Sequence, residues 1–245
     1  MTANHIRRLV KSNPTSLVDK LNGLIRQIRA EIRASGQYGD RLFIFDGTEK
    51  VDYSKYRELL VDNYAALNTV NAHVISAVPI SALYELEHSA QLSRYRRVLL
   101  PMFKVESAEQ KRILSEVITR RVDRAAFIEE DALALAVQKS GGCARQLLNI
   151  ASNARVEARS KKVEVMHVEK AIYRLGFEMK ERLDRELWRV LRQARQPRFN
   201  LDAYSAKEKV LAVRLVTELF LLKYNGRFAI NPLLDGFEPY ESPTV

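Results

Sequence analysis

The fold is decided by the stretch Leu42-Phe43-Ile44-Phe45-Asp46-Gly47-Thr48-Glu49, in which two acids follow four apolar residues. A short, β-rich run that is apolar throughout is typical of a strand buried on both faces of a parallel sheet. Asp46 then lies where the strand meets its C-terminal loop, the edge at which open α/β sheets form their sites. An acid there is compatible with binding of Mg²⁺ on nucleotide phosphates, and equally with a core strand that ends in a hydrogen-bonded Asp-Gly turn.

The sequence around this stretch predicts a βαβ unit. Residues 73–78 form a second apolar run, which Pro79 closes. Between the two runs, apolar residues at helical spacing predict a helix; they are Tyr56, Leu59, Leu60 and Leu67. Strand, helix and strand within about 35 residues predict a right-handed crossover with parallel strands. Upstream, residues 17–32 predict an amphipathic helix that begins near Ser16.

Composition sets the broad class of the protein. The 245 residues are 47% hydrophobic and 29% charged, which is typical of a soluble globular chain with two or three small units. Forty Lys and Arg against thirty Asp and Glu give a net charge of +10, which makes phosphate-bearing partners plausible. The positive charge is dispersed along the chain, so nucleic acid is compatible with the sequence without being indicated by it.

The cysteine content and the hydropathy pattern indicate the compartment. Cys143 is the only cysteine, which excludes an intrachain disulfide framework and favours the reducing cytosol. No apolar run approaches the length of a membrane span, and residues 1–15 lack the apolar core of a signal peptide. We therefore expect a cytoplasmic protein that does not cross a membrane.

The middle of the chain is predicted to be a helical bundle. Capping signals and apolar periodicity predict helices over residues 107–121, 129–140, 144–160 and 167–173. Gly141-Gly142 separates the second helix from the third. A compact bundle of this kind behind a βαβ unit is expected to be a separate small domain.

The last segment is predicted to hold two helices and a hairpin. The helices cover residues 180–195 and 205–221, the second with a capping signal formed by Ser205 and Glu208. Asn225-Gly226 between two strand-like segments predicts a type I′ turn joining strands 221–224 and 227–230. Two helices followed by a hairpin resemble the end of a winged-helix domain.

In this order, the segments resemble the C-terminal half of a AAA+ or STAND-type P-loop ATPase, near the origin-recognition and bacterial conflict-type branches. The resemblance covers about residues 20–235 and rests on four stretches: LFIFDGTE as Walker B, HVISAVP as sensor 1, SGGCARQLL in a lid, and LLKYNGRFAINPLL at the end. It implies an α/β fold with a partial P-loop core over residues 1–104, a helical lid over 105–176 and a winged-helix-like unit over 177–245.

The resemblance also implies roles for three residues. Asp46 would position Mg²⁺, and Glu49 would orient or activate the attacking water. Arg145, three residues after Gly142 at the start of a lid helix, would be the sensor 2 arginine that reaches the γ-phosphate. ATP and Mg²⁺ are the cofactors implied, and the function is a nucleotide-driven switch.

Three departures from the family pattern are visible. Gly47 follows Asp46 where many AAA+ proteins carry a catalytic Glu, and the second strand lacks the usual Asn or Thr, leaving Ser76 or Ser81 as candidates. No G-x-x-x-x-G-K-[ST] occurs, so the backbone amides that cradle phosphates are missing from the sequence. We expect a fragment or one half of a split protein, inactive alone, whose partner is the missing N-terminal ATPase half or another protein.

Other interpretations stay open at this point. Arg94, Arg96 and Arg97 lie where related ATPases place an arginine finger that acts on a neighbouring subunit, which fits a homo-oligomer, but three such arginines also suit a solvated helix end. A different class of function is non-enzymatic binding of nucleic acid through the winged-helix-like unit and the basic helices. A third is an interaction scaffold.

Overall fold

The computed structural model describes residues 14–37, 42–47, 57–58, 62, 64–78, 96, 98–159, 161–194, 205–225 and 227–237. The fold is α/β, and the chain divides into two compact units, Met1–Arg97 and Val98–Val245. Within the described ranges, no helix is both long enough and apolar enough to span a bilayer.

The first unit contains the predicted pair of parallel strands. Helix α1 covers Pro14–Ala34, strand β1 Leu42–Phe45, the short helix α2 Tyr64–Asn68 and strand β2 His73–Ser76. The strands pair in parallel from Leu42 opposite His73 to Phe45 opposite Ser76. The amide of Ala77 also donates to the carbonyl of Phe45 at 3.0 Å, so pairing continues to the point where β1 ends. The predicted parallel arrangement is confirmed.

The predicted burial of these strands is wrong. The four side chains of β1 are 36% to 64% exposed, and Val74 and Ile75 of β2 are exposed as well. A strand is buried on both faces only when further strands and covering helices surround it. In the described part of the unit, β1 and β2 form a sheet of two strands, so each has one neighbouring strand. Their side chains therefore stay exposed although the sequence of both strands is apolar.

The long helix α1 contributes both apolar packing and a polar tie to the first unit. Ile25 on this helix is 1% exposed. The side-chain amide of Asn22 donates to the carbonyl of Thr69 at 2.8 Å and its oxygen accepts from the amide of Asn71 at 2.7 Å. These two bonds fix the segment between α2 and β2 against α1.

The second unit is built from seven helices in the ranges that the structure describes. They are α3 (Ala108–Thr119), α4 (Arg124–Phe127), α5 (Glu130–Lys139), α6 (Ala144–Glu157), α7 (Val165–Lys180), α8 (Arg185–Gln193) and α9 (Ala206–Thr217). Their inward faces supply fully buried side chains such as Leu114, Leu147, Ile150 and Leu187. The predicted caps at Ser107 and Ser205 are present, with each hydroxyl accepting from the backbone amide three residues on.

Three helix predictions differ from the structure by four residues or more at one end. The helix predicted over residues 205–221 ends at Thr217, because Leu219 adopts a left-handed φ of 64° and Leu221 begins a strand. The predicted helix 167–173 extends from Val165 to Lys180 and includes Gly176. This glycine is buried against the carbonyl oxygen of Leu233 and the ring of Phe237, so it permits a close approach and does not end the helix. The next helix begins after Asp184, whose carboxylate accepts from the amide of Leu187 at 2.8 Å, and not at residue 180.

The predicted hairpin is confirmed. Strand β3 (Leu221–Tyr224) pairs antiparallel with β4 (Arg227–Ile230), from Leu221 opposite Ile230 to Tyr224 opposite Arg227. A 3-10 turn, Pro232–Leu234, follows β4 and packs against α7. Gly226 lies outside the described residues, so the turn type stays a prediction, as does the comparison with a winged-helix domain.

We expect replacement of Arg159 by glycine to stabilise the second unit by about 1 kcal/mol. Arg159 follows the end of α6 with a φ of 46°, a left-handed conformation that costs a residue with a Cβ atom more than it costs glycine. Urea unfolding followed by the fluorescence of Trp188 measures the change, because Trp188 is the only tryptophan and lies buried in this unit.

The Arg159→Ala variant is the control for this prediction. It removes the same exposed side chain but keeps a Cβ atom at the left-handed position, so we expect little change in the free energy of unfolding. Equal gains from alanine and glycine would mean that the side chain, and not the backbone conformation, is responsible.

Candidate functional site

Asp46 lies in the first unit, directly after the last residue of β1. Its side chain is exposed, and one carboxylate oxygen accepts from the amide of Gly47 at 2.9 Å. No other contact of this carboxylate is present among the residues that the structure describes. The second oxygen is therefore available to a ligand at the carboxyl end of a parallel strand, the position at which sites in such sheets form.

The other residues predicted around this edge are less well defined. Glu49 lies outside the described residues, as do Ser81, Arg94 and Arg97. Ser76 ends β2, and its hydroxyl donates to the carbonyl of Ala77 at 3.3 Å. The proposed roles of Glu49 and of the sensor 1 serine therefore stay predictions.

Arg145 lies in the second unit, on the second residue of α6, and its side chain is exposed. Within the described ranges it has neither a carboxylate partner nor a hydrogen bond. Arg120 and Arg124 of the same unit differ in this respect, because they pair with Glu116 at 2.6 Å and with Glu130 at 3.0 Å. An exposed guanidinium without a protein carboxylate is available to an external anion.

The direction in which α6 begins is set by the double-glycine turn, Gly141-Gly142. Both glycines have positive φ, 58° and 80°. The hydroxyl of buried Ser140 accepts from the amide of Gly142 at 3.2 Å and donates to the carbonyl of Val137 at 2.7 Å. The turn is thus tied to the end of α5 on one side and opens α6, with Arg145, on the other.

Two distant segments hold the carbonyl groups of this turn. The amide of Phe103 donates to the carbonyl of Gly142 at 3.1 Å, and the hydroxyl of Tyr224 donates to the carbonyl of Gly141 at 2.6 Å. The amide of Met102 in turn donates to the carbonyl of Lys223 at 3.0 Å. The hairpin, the segment before α3 and the start of α6 therefore form one hydrogen-bonded arrangement.

Tyr224 is one of the residues of this arrangement that the sequence did not reveal. It is 4% exposed, and burial raises the pKa of its phenol to about 12. The hydroxyl therefore remains a donor through the neutral range. The sequence offered one signal, a tyrosine at an inward-facing position of a strand, but it did not show which carbonyl the hydroxyl would reach.

The cations at the tip of the hairpin are engaged within the unit. Arg227 pairs with Glu106 at 2.6 Å, and this hydrogen bond is the main reason why the pKa of Glu106 lies below its ordinary value. The amine of Lys223 lies 4.1 Å from the centre of the Phe228 ring, a cation–π contact. These two side chains are therefore less available to nucleic acid than their positions in the sequence suggested.

A cleft in the second unit is not a comparable site. It has a volume of about 380 Å³, lies beside α6 and α7, and is lined by residues that include Gln146, Glu178, Arg182 and Glu218. Its charges are paired internally, since Arg182 lies 3.7 Å from Glu218, and Glu218 also accepts from Arg214 at 2.8 Å. The cleft therefore offers little unmatched charge to a ligand.

A Mg²⁺-nucleotide complex has two parts to be bound, the metal ion and the phosphates, and the residues present fit only the metal ion. Mg²⁺ is usually held by one or two carboxylates together with substrate phosphates, and the open oxygen of Asp46 suits that role. The described residues contain no cluster of three or more side chains able to hold a metal ion without a nucleotide. The sequence contains no phosphate-binding loop of the G-x-x-x-x-G-K-[ST] type, so the second part, the binding of the phosphates, has no matching motif here.

Comparison with known proteins gives a weak likeness to one group of solved structures. No family model and no curated protein matches the chain. The Thermotoga maritima RuvB Holliday junction branch migration motor aligns with 85% of this chain and 71% of its own length, at 18% identity and a TM-score of 0.42. A single-residue variant of the Thermotoga maritima RuvB protein aligns over 88% of this chain and 91% of its own length, at 15% identity and a TM-score of 0.40. Similarity at this level does not establish a family for the chain.

Proposed function

We propose that this chain is part of an ATP-binding and ATP-hydrolysing switch of the AAA+ or STAND-like class. The observation that carries the proposal is the exposed Asp46 carboxylate, which has one oxygen open at the carboxyl end of a strand paired in parallel with its neighbour. Arg145 supports it, as an exposed cation with no carboxylate partner among the described residues.

In this proposal each residue has a distinct role. The open oxygen of Asp46 holds the metal ion of the nucleotide, and Glu49 orients or activates the attacking water. Arg145 contacts the γ-phosphate, where its planar group can donate two hydrogen bonds to phosphate oxygens. Mg²⁺-ATP supplies the transferable phosphoryl group when it is bound. The double-glycine turn fixes the start of α6 and so limits the positions that the Arg145 side chain can reach.

The phosphate-binding loop is proposed to come from an N-terminal ATPase half or another protein partner. Two features support this. The sequence lacks the loop, and the strands β1 and β2 expose apolar side chains of the kind that further strands and helices cover in parallel sheets. A homo-oligomer is compatible with the proposal, because a neighbouring subunit could receive Arg94, Arg96 or Arg97 as an arginine finger.

In a form completed with the missing half, we expect Glu49→Gln to abolish ATP turnover while leaving ATP binding largely intact. The amide keeps the shape of the side chain but cannot act as a base. Asp46→Ala is expected to weaken Mg²⁺-dependent binding, because a metal ligand is lost. Turnover assays and calorimetric titration with Mg²⁺-ATP separate the two effects.

One control is a matched variant, and the other is this chain without the missing half. Glu169→Gln removes an exposed carboxylate of α7 and should change neither binding nor turnover. The 245-residue chain alone should bind ATP no more tightly than about 1 mM, a level that corresponds to roughly 4 kcal/mol. Micromolar binding by the chain alone, or turnover by Glu49→Gln at the parent rate, would contradict the assignment.

Binding of nucleic acid is not the function we propose. The hairpin cations that such an interface would use are engaged with Glu106 and with the Phe228 ring. Helix α9 before the hairpin is buried at Ala212, Val213, Leu215 and Val216, and therefore serves the core of the unit. Any affinity for DNA is expected to be weak, independent of sequence and lost between low and physiological salt.

A further inference from the structure

A shallow apolar groove lies on the surface of the second unit, between α3 and α6, and has no part in the proposed nucleotide chemistry. We call it the α3–α6 groove. It has a volume of about 360 Å³. Its apolar lining is formed by Ile118, Val122, Phe127, Leu148, Ala151 and Val156. Val156 is 66% exposed and Leu148 39% exposed, so the walls of the groove are open to solvent.

Two arginines, Arg121 and Arg155, also line the groove, and both have spare donor capacity. Arg121 donates to the carbonyl of Val117 at 2.6 Å. Arg155 donates to the carbonyl of Lys161 at 2.5 Å and lies 5.6 Å from the centre of the Phe127 ring. In the described part of the chain neither forms an ion pair with a carboxylate. A guanidinium carries five donors, so each arginine can still bind an acid.

Three nearby arginines, Arg112, Arg120 and Arg124, differ from the two in the groove because each has a carboxylate partner. Arg120, which neighbours Arg121 in sequence, pairs with Glu116 at 2.6 Å, and Arg124 pairs with Glu130 at 3.0 Å. Arg112 pairs with Glu116 as well. These three arginines are thus matched by carboxylates, whereas the two that line the groove are matched only by backbone carbonyls and a ring.

We propose that the α3–α6 groove is a docking site for a partner protein segment that carries large apolar side chains flanked by Asp or Glu. The apolar lining accounts for the first requirement, because exposed apolar surface of this kind marks interaction sites. The two arginines account for the second, because complementary charge fixes the register of a bound segment and speeds its association. An amphipathic helix in a groove meets both requirements.

The observations favour a protein segment over nucleic acid. Recognition of nucleic acid relies on cations that contact its phosphate backbone, whereas this groove is lined mainly by apolar side chains. The arginines are also few, and one of them already lies near an aromatic ring. Binding of nucleic acid to the groove is therefore the alternative that the experiment below would detect.

The test uses fluorescein-labelled helical peptides with the full 245-residue chain, measured by fluorescence anisotropy. The first peptide has leucines at positions i, i+3, i+4 and i+7 and glutamates on both flanks. The second replaces the glutamates with lysines, and the third replaces the leucines with alanines. We expect the first to bind with a Kd on the order of 10 µM, and the other two to bind at least about tenfold more weakly.

A pair of valine variants locates the site. Val156→Glu places an acid in the groove and should weaken the first peptide by about tenfold or more, which corresponds to about 1.4 kcal/mol. Val210→Glu is the matched control, because Val210 is 69% exposed on a helix of the same unit and does not line the groove. Trp188 fluorescence during urea unfolding checks that both variants remain folded.

Several results would overturn the proposal. The lysine peptide is expected to bind more weakly than the glutamate peptide, so equal or tighter binding by it would remove the argument from charge. Equal effects of Val156→Glu and Val210→Glu would place the peptide elsewhere. Binding of a short duplex DNA that Val156→Glu abolishes, without binding of the acidic peptide, would assign the groove to nucleic acid. Sedimentation showing self-association that Val156→Glu removes would make a second copy of this chain the occupant.

Discussion

Replacement of Gly142 by alanine is expected to lower the free energy of unfolding of the second unit by about 4 kcal/mol. A Cβ atom at this position would overlap the carbonyl oxygen of Phe103 and lie 2.9 Å from its amide nitrogen. Both contacts are with backbone atoms, so no side-chain rotation can relieve them. The φ of 80° adds the conformational cost that any residue other than glycine pays there.

Urea unfolding followed by Trp188 fluorescence measures this loss, with Gly236→Ala as the matched control. Gly236 belongs to the same unit and has a φ of 85°, but a Cβ atom there would meet nothing within 4 Å. The control should therefore lose only about 1 kcal/mol, from backbone conformation alone. Equal losses in the two variants would show that the contact with Phe103 contributes nothing.

Replacement of Asn231 by leucine is expected to cost about 3 kcal/mol. Asn231 is fully buried; its amide donates to the carbonyl of Leu219 at 2.8 Å, and its oxygen accepts from the amide of Leu233 at 3.0 Å. Leucine has a similar size but leaves both backbone groups without these partners. The loss also affects the unusual backbone at Leu219, whose φ is 64°.

Asn149→Leu is the control for the asparagine prediction. Asn149 lies on α6 with an exposed side chain, so the same substitution should change the free energy of unfolding by less than about 0.5 kcal/mol. Both variants are compared by the same urea titration. A small effect at position 231 would mean that water replaces the lost partners of Leu219 and Leu233.

The elements that local sequence determines were predicted well. The hairpin follows from two β-rich segments on either side of Asn225-Gly226, and the start of α9 follows from the reciprocal bonds of Ser205 and Glu208. The parallel pairing of β1 and β2 follows from two short apolar runs joined by a crossover of suitable length. Each of these features depends on residues that are close in the chain or on a strong rule of connection.

The features that depend on distant neighbours were not predicted. The run of residues 42–45 indicates a strand, but its burial depends on what surrounds the sheet, and the structure shows these side chains exposed. The helix predicted over residues 167–173 continues to Lys180 through Gly176, whose close contacts with Leu233 and Phe237 come from more than fifty residues further along the chain. No local pattern carries that information.

The candidate site shows the same limit. Asp46 could be selected from the sequence because it directly follows a predicted strand, and Arg145 was selected only through the resemblance to AAA+ and STAND-type ATPases. Tyr224 and Phe103, which hold the turn before Arg145, could not be selected, since they are brought together by hydrogen bonds to Gly141 and Gly142. The roles of Asp46, Glu49 and Arg145 stay predictions until nucleotide binding is measured.

The shared hydrogen bonding of the double-glycine turn has a consequence for how this protein can evolve. Exchange of the terminal segment with an unrelated one, by recombination near residue 177, would remove the donor to Gly141 and the Leu222 side chain that packs beside it. The helices before residue 177 would then keep the Gly141-Gly142 turn without the Tyr224 hydroxyl and the Leu222 side chain that contact it. We therefore expect residues 98–245 to be inherited as one module. Insertions should be tolerated at the exposed loops of this module and not near residue 177, where its N-terminal and C-terminal parts join.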